Sequence, residues 1–451
     1  MAGNASGGAT YFDGHKINNT QRRFLWVTAF VYVFDQMDNA TFQNAAPTLM
    51  KRYGITAQQI GDINFYNFFG AFIGAVFGGW LADKIGRKKA ILTTVSVFSL
   101  GSLGNAIFTV YPLIAASRLI TGMGCIATVV IAMVYISEMM PSEKRGRYQA
   151  ITIASGTISL PLIGMFAAYI IPKGPDNWRI VFLLGALGII LVFIGASWLR
   201  ESPRWLVTKG RTAEAEKIVE EVTGGKCDLS QEAARITRKA SAIEALRVMF
   251  GKGYIKRTIV LFILTIGVTG GSMLFFNFYS TALVMGGMAM PTVLMVISLS
   301  LWGIPTGDFL SSFYTDLGGR KLPLFICMVG LAVTYVLAGM TLVPVILIIV
   351  MFFQKIVGSG CNTMLWTYLA ESYPTNVRTN AVGYIFGTVR LLISFCQLAV
   401  PGLYAAYHWM GINMINAAII VIPAVVLLVW GDKTSKISLE EVNKQAYLQA
   451  K

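Results

Sequence analysis

Residues Gly79–Lys89 read GWLADKIGRKK, an acid and a glycine turn followed by a run of cations, set between two apolar stretches. A shorter version, YTDLGGRK, recurs at Tyr314–Lys321 in the same setting. The two copies are related by a shift of 233 residues, which aligns Asp83 with Asp316, Gly86 with Gly319 and Arg87 with Arg320. The same shift aligns Tyr135 with Tyr368, Glu138 with Glu371, Pro141 with Pro374 and Arg145 with Arg378. Matches at one constant shift, all at ends of apolar stretches, mark an internal duplication.

The apolar stretches around these copies set the fold class. A hydrocarbon layer about 30 Å thick takes roughly 20 apolar residues per helix. Segments of that length fall near 24–46, 61–82, 90–110, 113–136, 149–171, 179–199, 257–282, 291–314, 322–342, 344–366, 382–402 and 411–430. With 55% hydrophobic residues in 451, the chain carries more apolar surface than a soluble core of this length needs. The expected fold is an all-α membrane protein of twelve transmembrane helices in two pseudo-symmetric six-helix bundles. The expected division is a tail at 1–21, bundles at 22–199 and 257–431, a basic helical linker at 200–256 and a tail at 432–451. The first 21 residues are polar, and no signal peptide is read there.

Charge then orients the helices, because basic residues of short loops stay cytoplasmic during insertion. With both termini inside, the outer loops hold only Lys51, Arg52, Lys173 and Arg179, while Arg118, Lys355 and Arg390 lie within spans. The remaining 30 of 37 Lys and Arg face the cytoplasm, so topology and anionic lipid account for the net charge of +15 without a nucleic-acid partner. Five scattered cysteines without a CxxC pair and only two histidines, His15 and His408, offer neither a metal site nor a disulfide framework. No cofactor is expected, and no nucleophile–base pair suggests an enzyme.

GWLADKIGRKK is similar to the loop between helices 2 and 3 of the major facilitator superfamily, G-x-L-x-D-x-x-G-R-[RK]-[RK]. The resemblance continues through Arg118-Leu-Ile-Thr-Gly-Met-Gly124, SEMMPSEKRGR after helix 4, ESPRWLVTKGR after helix 6 and AESYPTNVRTNAVG after helix 10. It covers nearly the whole chain and is closest to the branch of sugar porters, organic-ion transporters and aromatic-acid or metabolite proton symporters. It implies a secondary transporter of the plasma (inner) membrane, working by alternating access as a monomer. Asp83, Arg87, Glu138 and Arg145, with Asp316, Arg320, Glu371 and Arg378, are then expected to latch the two halves at a cytoplasmic gate; the alternative is that they only solvate helix ends. The helix 7 sequence LTIGVTGGSMLFFNFY and the helix 5 sequence TIASGTISLPLIG lack the glutamines of sugar porters.

Ionisable groups inside a bilayer are costly and default to functional candidates. Asp35 and Asp38 share a face of helix 1 with Asn39. At 1.5 Å per residue Asp38 lies about 4–5 Å outward of the helix centre and Arg118 of helix 4 about 7 Å outward, so the two can meet. Burial favours the neutral acid and a nearby cation favours the carboxylate, so a pair that opens and closes can take up and release a proton. Asp38, Asp35 and Arg118 are therefore the proton-coupling candidates, with a static ion pair between helices 1 and 4 as the alternative. The motif DQMD is similar to the D-G-[YF]-D of aromatic-acid symporters, with Gln36 in place of Gly.

Lys355 shares a face of helix 10 with Asn362 and Trp366, and Arg390 shares one of helix 11 with Gln397. Two cations with amide donors and a Trp platform fit a small organic anion better than a neutral sugar. Asn39, Asn277 and Tyr279 join this substrate-binding set, and Asp308 is the expected charge partner of one of the cations. The resulting reading is proton-coupled symport of an aromatic or aliphatic carboxylate. Its rivals are an organic-ion exporter or exchanger and a membrane sensor that binds a nutrient without moving it.

Overall fold

The computed structural model describes residues 12–15, 17–141, 145–225, 229, 242–251, 253–314, 321–373 and 377–431, the side chains of 145, 146, 242, 312, 314, 370, 378 and 379 excepted. Six helices build the first half: α1 (Asn19–Tyr53), α2 (Ala57–Ile85), α3 (Arg87–Ile107), α4 (Tyr111–Met139), α5 (Arg145–Ile170) and α6 (Trp178–Trp198). Six build the second: α7 (Ile255–Met285), α8 (Met290–Ser311), α9 (Lys321–Gly339), α10 (Pro344–Glu371), α11 (378–407) and α12 (409–430). Among the described residues, ten stretches are long and apolar enough to cross a membrane. The last of them, Asn380–Trp430, is two helices joined at His408, whose φ of 53° turns the chain. The polar α1 is 35 residues long and completes twelve.

Local sequence sets the helix ends. Asn18 and Gln21 form a capping box at the start of α1, Gly54 closes it in the left-handed region, and Thr56 with Gln59 caps α2. Between the halves, helix Thr212–Thr223 buries Ala215, Val219 and Val222 against Phe12 and Trp205, and Asn18 Nδ2 donates to the Val222 carbonyl at 2.9 Å. Helix Ala242–Met249 instead packs into the core of the second half through Ala245 and Met249.

The duplication extends into backbone packing. A Cβ on Gly70 or Gly74 of α2 would lie 2.1 Å from the carbonyl oxygen of Leu119 or Met123 on α4. Shifted by 233, Gly303 and Gly307 of α8 stand 2.2 and 2.3 Å by the same measure from the carbonyls of Phe352 and Ile356 on α10. In lipid, helix association relies on such close approach of small residues. Gly74→Leu is therefore expected to push α2 off α4 and lose folded protein, which size-exclusion chromatography in detergent checks. The equivalent change at Gly79, which has nothing within 4 Å of a Cβ, leaves the profile unchanged.

Both termini of the bundle and the linker lie on one side, here the terminal side. Between described residues, the hydrogen bonds that join the two halves lie in the middle or toward the other side. Gln43 Nε2 donates to the Phe276 carbonyl at 2.6 Å, Ser280 Oγ donates to the Gln43 carbonyl, and Gln58 Nε2 donates to the Leu398 carbonyl at 3.1 Å. The halves are thus closed on each other away from the termini.

Candidate functional site

The polar face of α1 meets α2, α4 and α11 at a small cavity. Asp35, Asp38 and Asn39 line it from α1, Asn67 and Phe68 from α2, Cys125 from α4 and Arg390 from α11. Asp38 and Arg118, expected to meet by helix rise alone, do: Arg118 Nη1 donates to Asp38 Oδ2 at 2.6 Å. Arg118 is 0% exposed, and its guanidinium stands 4.9 Å from the centre of the Phe42 ring. Its Nε and Nη2, like Asp38 Oδ1, have no hydrogen-bond partner among the described residues. The pair is therefore fully desolvated but only half satisfied, with donors left for an occupant or a moved side chain.

Asp35, one turn earlier, accepts from Gln36 Nε2 at 2.8 Å and keeps Oδ1 unpartnered. Arg390 makes no ion pair with a described residue, although Asp35 and Tyr32 are close enough to act on it electrostatically. The cavity is thus walled by two carboxylates and served by two guanidiniums, one pair in contact and one apart.

The other substrate-binding candidates do not line this cavity. Lys355 Nζ stands 4.7 Å over the Phe276 ring and 5.9 Å over that of Tyr279, so aromatic faces hold its charge. Asn277 and Asn362 each keep a buried Oδ1 without a partner. Trp366 is 48% exposed and stacks on Phe386 with ring centres 3.8 Å apart. Gln397 and Tyr279 make hydrogen bonds within the protein, Gln397 keeping a buried Oε1 without a partner among the described residues. Helix α7 is interrupted by a π-turn at Ile266–Gly270 and a tight turn at Phe276–Phe278. Gln397 Nε2 caps the freed Leu274 carbonyl at 2.9 Å. The Tyr279 hydroxyl is taken up by Asn413 and Asn416 of α12.

Asp308 departs from the expected charge pairing: it makes an ion pair with neither Lys355 nor Arg390 in this structure. Its Oδ1 accepts from the Ser359 hydroxyl and lies 3.5 Å from that of Thr363, both on α10. The described gate residues pair within one half. Arg87 binds Glu138 through two nitrogens at 2.9 and 3.1 Å and Asp83 at 2.9 Å, which ties α2, α3 and α4 of the same half together instead of joining the halves. Asp83, 72% exposed, contributes least, since water screens it. Asp316 and Arg320 lie outside the described residues, as do the side chains of Arg145 and Arg378; Glu371 ends α10.

Several residues escaped the sequence reading. Glu201 Oε1 accepts from the backbone N–H of Arg87 at 2.6 Å and of Lys88 at 3.2 Å, so the start of the linker caps α3. Burial pushes its carboxyl above the usual range against the pull of those donors. Gly86, at φ 98°, leaves room for that carboxylate, since a Cβ there would lie 2.2 Å from Glu201 Oε2. Asn67 and Cys125 of the cavity, and Gln43 of the α1–α7 contact, were visible only as polar or small residues in apolar stretches.

The whole span of residues 20–446 matches the family model described as sugar (and other) transporter. YyaJ of Bacillus subtilis, a protein named for metabolite transport, is 34% identical over 88% of this chain and 88% of its own. The niacin transporter NiaP of Acinetobacter baylyi is 23% identical over 93% and 95%. Among solved structures, the inward-open conformation of the xylose transporter XylE from E. coli aligns over 93% of this chain and 98% of its own, with a TM-score of 0.75 at 17% identity.

Proposed function

The chain belongs to the sugar (and other) transporter family of membrane transporters, within the major facilitator superfamily, and from that premise we propose that it carries a small carboxylate together with protons. The observation that carries this reading is the charge balance around the cavity. With Asp35 and Asp38 ionised, their charges cancel those of Arg118 and Arg390. A proton on either acid leaves one net positive charge, which matches one monovalent anion. Release of the proton restores neutrality and withdraws the attraction, so the two occupants come and go together.

Asp38 is the proton carrier in this scheme, because protonation removes the charge that holds Arg118, and Asp35 is its reserve. Arg390, which makes no ion pair with a described residue, receives the carboxylate at the cavity wall, with Asn39 beside it. Niacin, named for one relative, is an aromatic carboxylate. The excess of basic residues on the terminal side supports termini and linker in the cytoplasm, with the chain in a plasma membrane. The closure of the halves away from the termini then corresponds to a state open inward.

The test is proton influx into proteoliposomes that hold a pH-sensitive dye, with carboxylates, sugars, amines and amino acids added in turn. A carboxylate class that alone drives influx is the expected result. Influx driven by sugars, or exchange of substrate with no proton movement, overturns it.

A further inference from the structure

Asp308 lies outside the cavity balance and is unexplained by it. Its Oδ2 is buried without a partner, while Oδ1 is approached by the hydroxyls of Ser359 and Thr363 from α10. Thr157 of α5, itself 8% exposed, donates its hydroxyl to the Ala154 carbonyl at 3.2 Å and is close enough to act on the carboxylate with its oxygen. A carboxylate is thus ringed by three hydroxyl oxygens on two helices, one from the first half and one from the second. Among the described residues, no cation of the surrounding helices makes an ion pair with it. Lys355, one turn before Ser359 on α10, is turned to the Phe276 and Tyr279 rings. Tyr32 of α1, a phenol without a positive charge, is near enough to feel Asp308 electrostatically, and α5 presents Thr157.

Hydroxyls accept as well as donate, so this ring can turn its lone pairs inward, and all-oxygen sites of this kind suit hard cations. A buried carboxylate without such a counter-charge is costly. We propose that Asp308, Thr157, Ser359 and Thr363 form a monovalent-cation site, for a proton or Na+, that is complete only while α5 of the first half packs on α8 and α10 of the second. The cation would then stabilise one packing of the halves and couple to transport without touching the substrate. The site is independent of which substrate is carried, so it and the carboxylate reading can fail separately.

The test follows thermal unfolding of the purified full-length protein in detergent without substrate, in two arms. One arm exchanges choline chloride for NaCl at fixed pH, and the other lowers the pH in choline chloride. In wild type one of the two is expected to raise the melting temperature by a few degrees, which also names the cation. Asp308→Asn removes that response, while Gly79→Leu, at a position with nothing within 4 Å of a Cβ, keeps it. Ser359→Ala and Thr157→Val raise the half-saturating cation concentration about tenfold, the cost of one charge-assisted oxygen contact. These two also decide the matter if Asp308→Asn elutes as aggregate. An unchanged response in Asp308→Asn, or in both hydroxyl variants, or no response of wild type to either cation, overturns the site.

Discussion

Asp38→Asn is expected to abolish proton-driven accumulation while leaving exchange of substrate across the membrane intact. Asparagine keeps the shape and an oxygen that can accept from Arg118 Nη1, but it holds no charge and takes up no proton. The cavity is then fixed at one net positive charge, the condition assigned above to the protonated, anion-binding state. Substrate should bind at least as tightly as in wild type and be swapped for substrate on the other side. Net uphill movement stops, because nothing is released to reset the site. Counterflow of labelled substrate, compared with dye-reported proton influx, separates the two. If the pair only holds α1 to α4, the outcome differs. Removing one partner of a buried pair costs about 3–5 kcal/mol, so both modes of transport and the melting temperature would fall together.

That prediction was within reach of the sequence, and the reason is geometric. Helix rise is constant, so the depth of Asp38 and Arg118 follows from their positions along two spans whose ends the bilayer sets. The fold is legible on the same ground: lipid forces every backbone group into a helix, and a duplication doubles the signal. Gly70 and Gly74 against Gly303 and Gly307 carry that duplication into contacts that no alignment of loop motifs reaches.

What stayed hidden depends on rotation and on breaks in helices. Gln397 and Tyr279 looked free for substrate because an intact α7 would not need them. The interruption at Phe276–Phe278 releases carbonyls that Gln397 and Gln43 then satisfy. Asp83, Arg87 and Glu138 have the right charges to join two halves, yet a guanidinium with two carboxylates in its own bundle is satisfied before it reaches across. Asp308 illustrates the converse. Its hydroxyl neighbours come from helices far apart in sequence, and serine or threonine in a span is too common to stand out.

Arg390 decides whether the substrate is held by a contact or by net charge. Arg390→Gln is expected to weaken carboxylate binding by about 1.5–3 kcal/mol, the worth of a hydrogen bond to a charged group, or roughly 10- to 150-fold in Kd. By itself this loss is ambiguous, because the variant also leaves Asp35 and Asp38 facing a single guanidinium and makes the empty cavity negative. Asp35→Asn combined with Arg390→Gln restores the balance: neutral when Asp38 is ionised, one positive charge when it is protonated. If only the field matters, the double variant binds the anion nearly as well as wild type. If Arg390 grips the carboxylate through its planar fork, the double variant stays weak, and Arg390→Lys, which keeps the charge but loses the fork, falls between. Equilibrium binding of the carboxylate found by the dye assay, measured on the four proteins in detergent, distinguishes these cases. The direct contact is the expected result: Arg390 makes no ion pair with a described residue, so its donors are available at the cavity wall and need not be taken from the protein first.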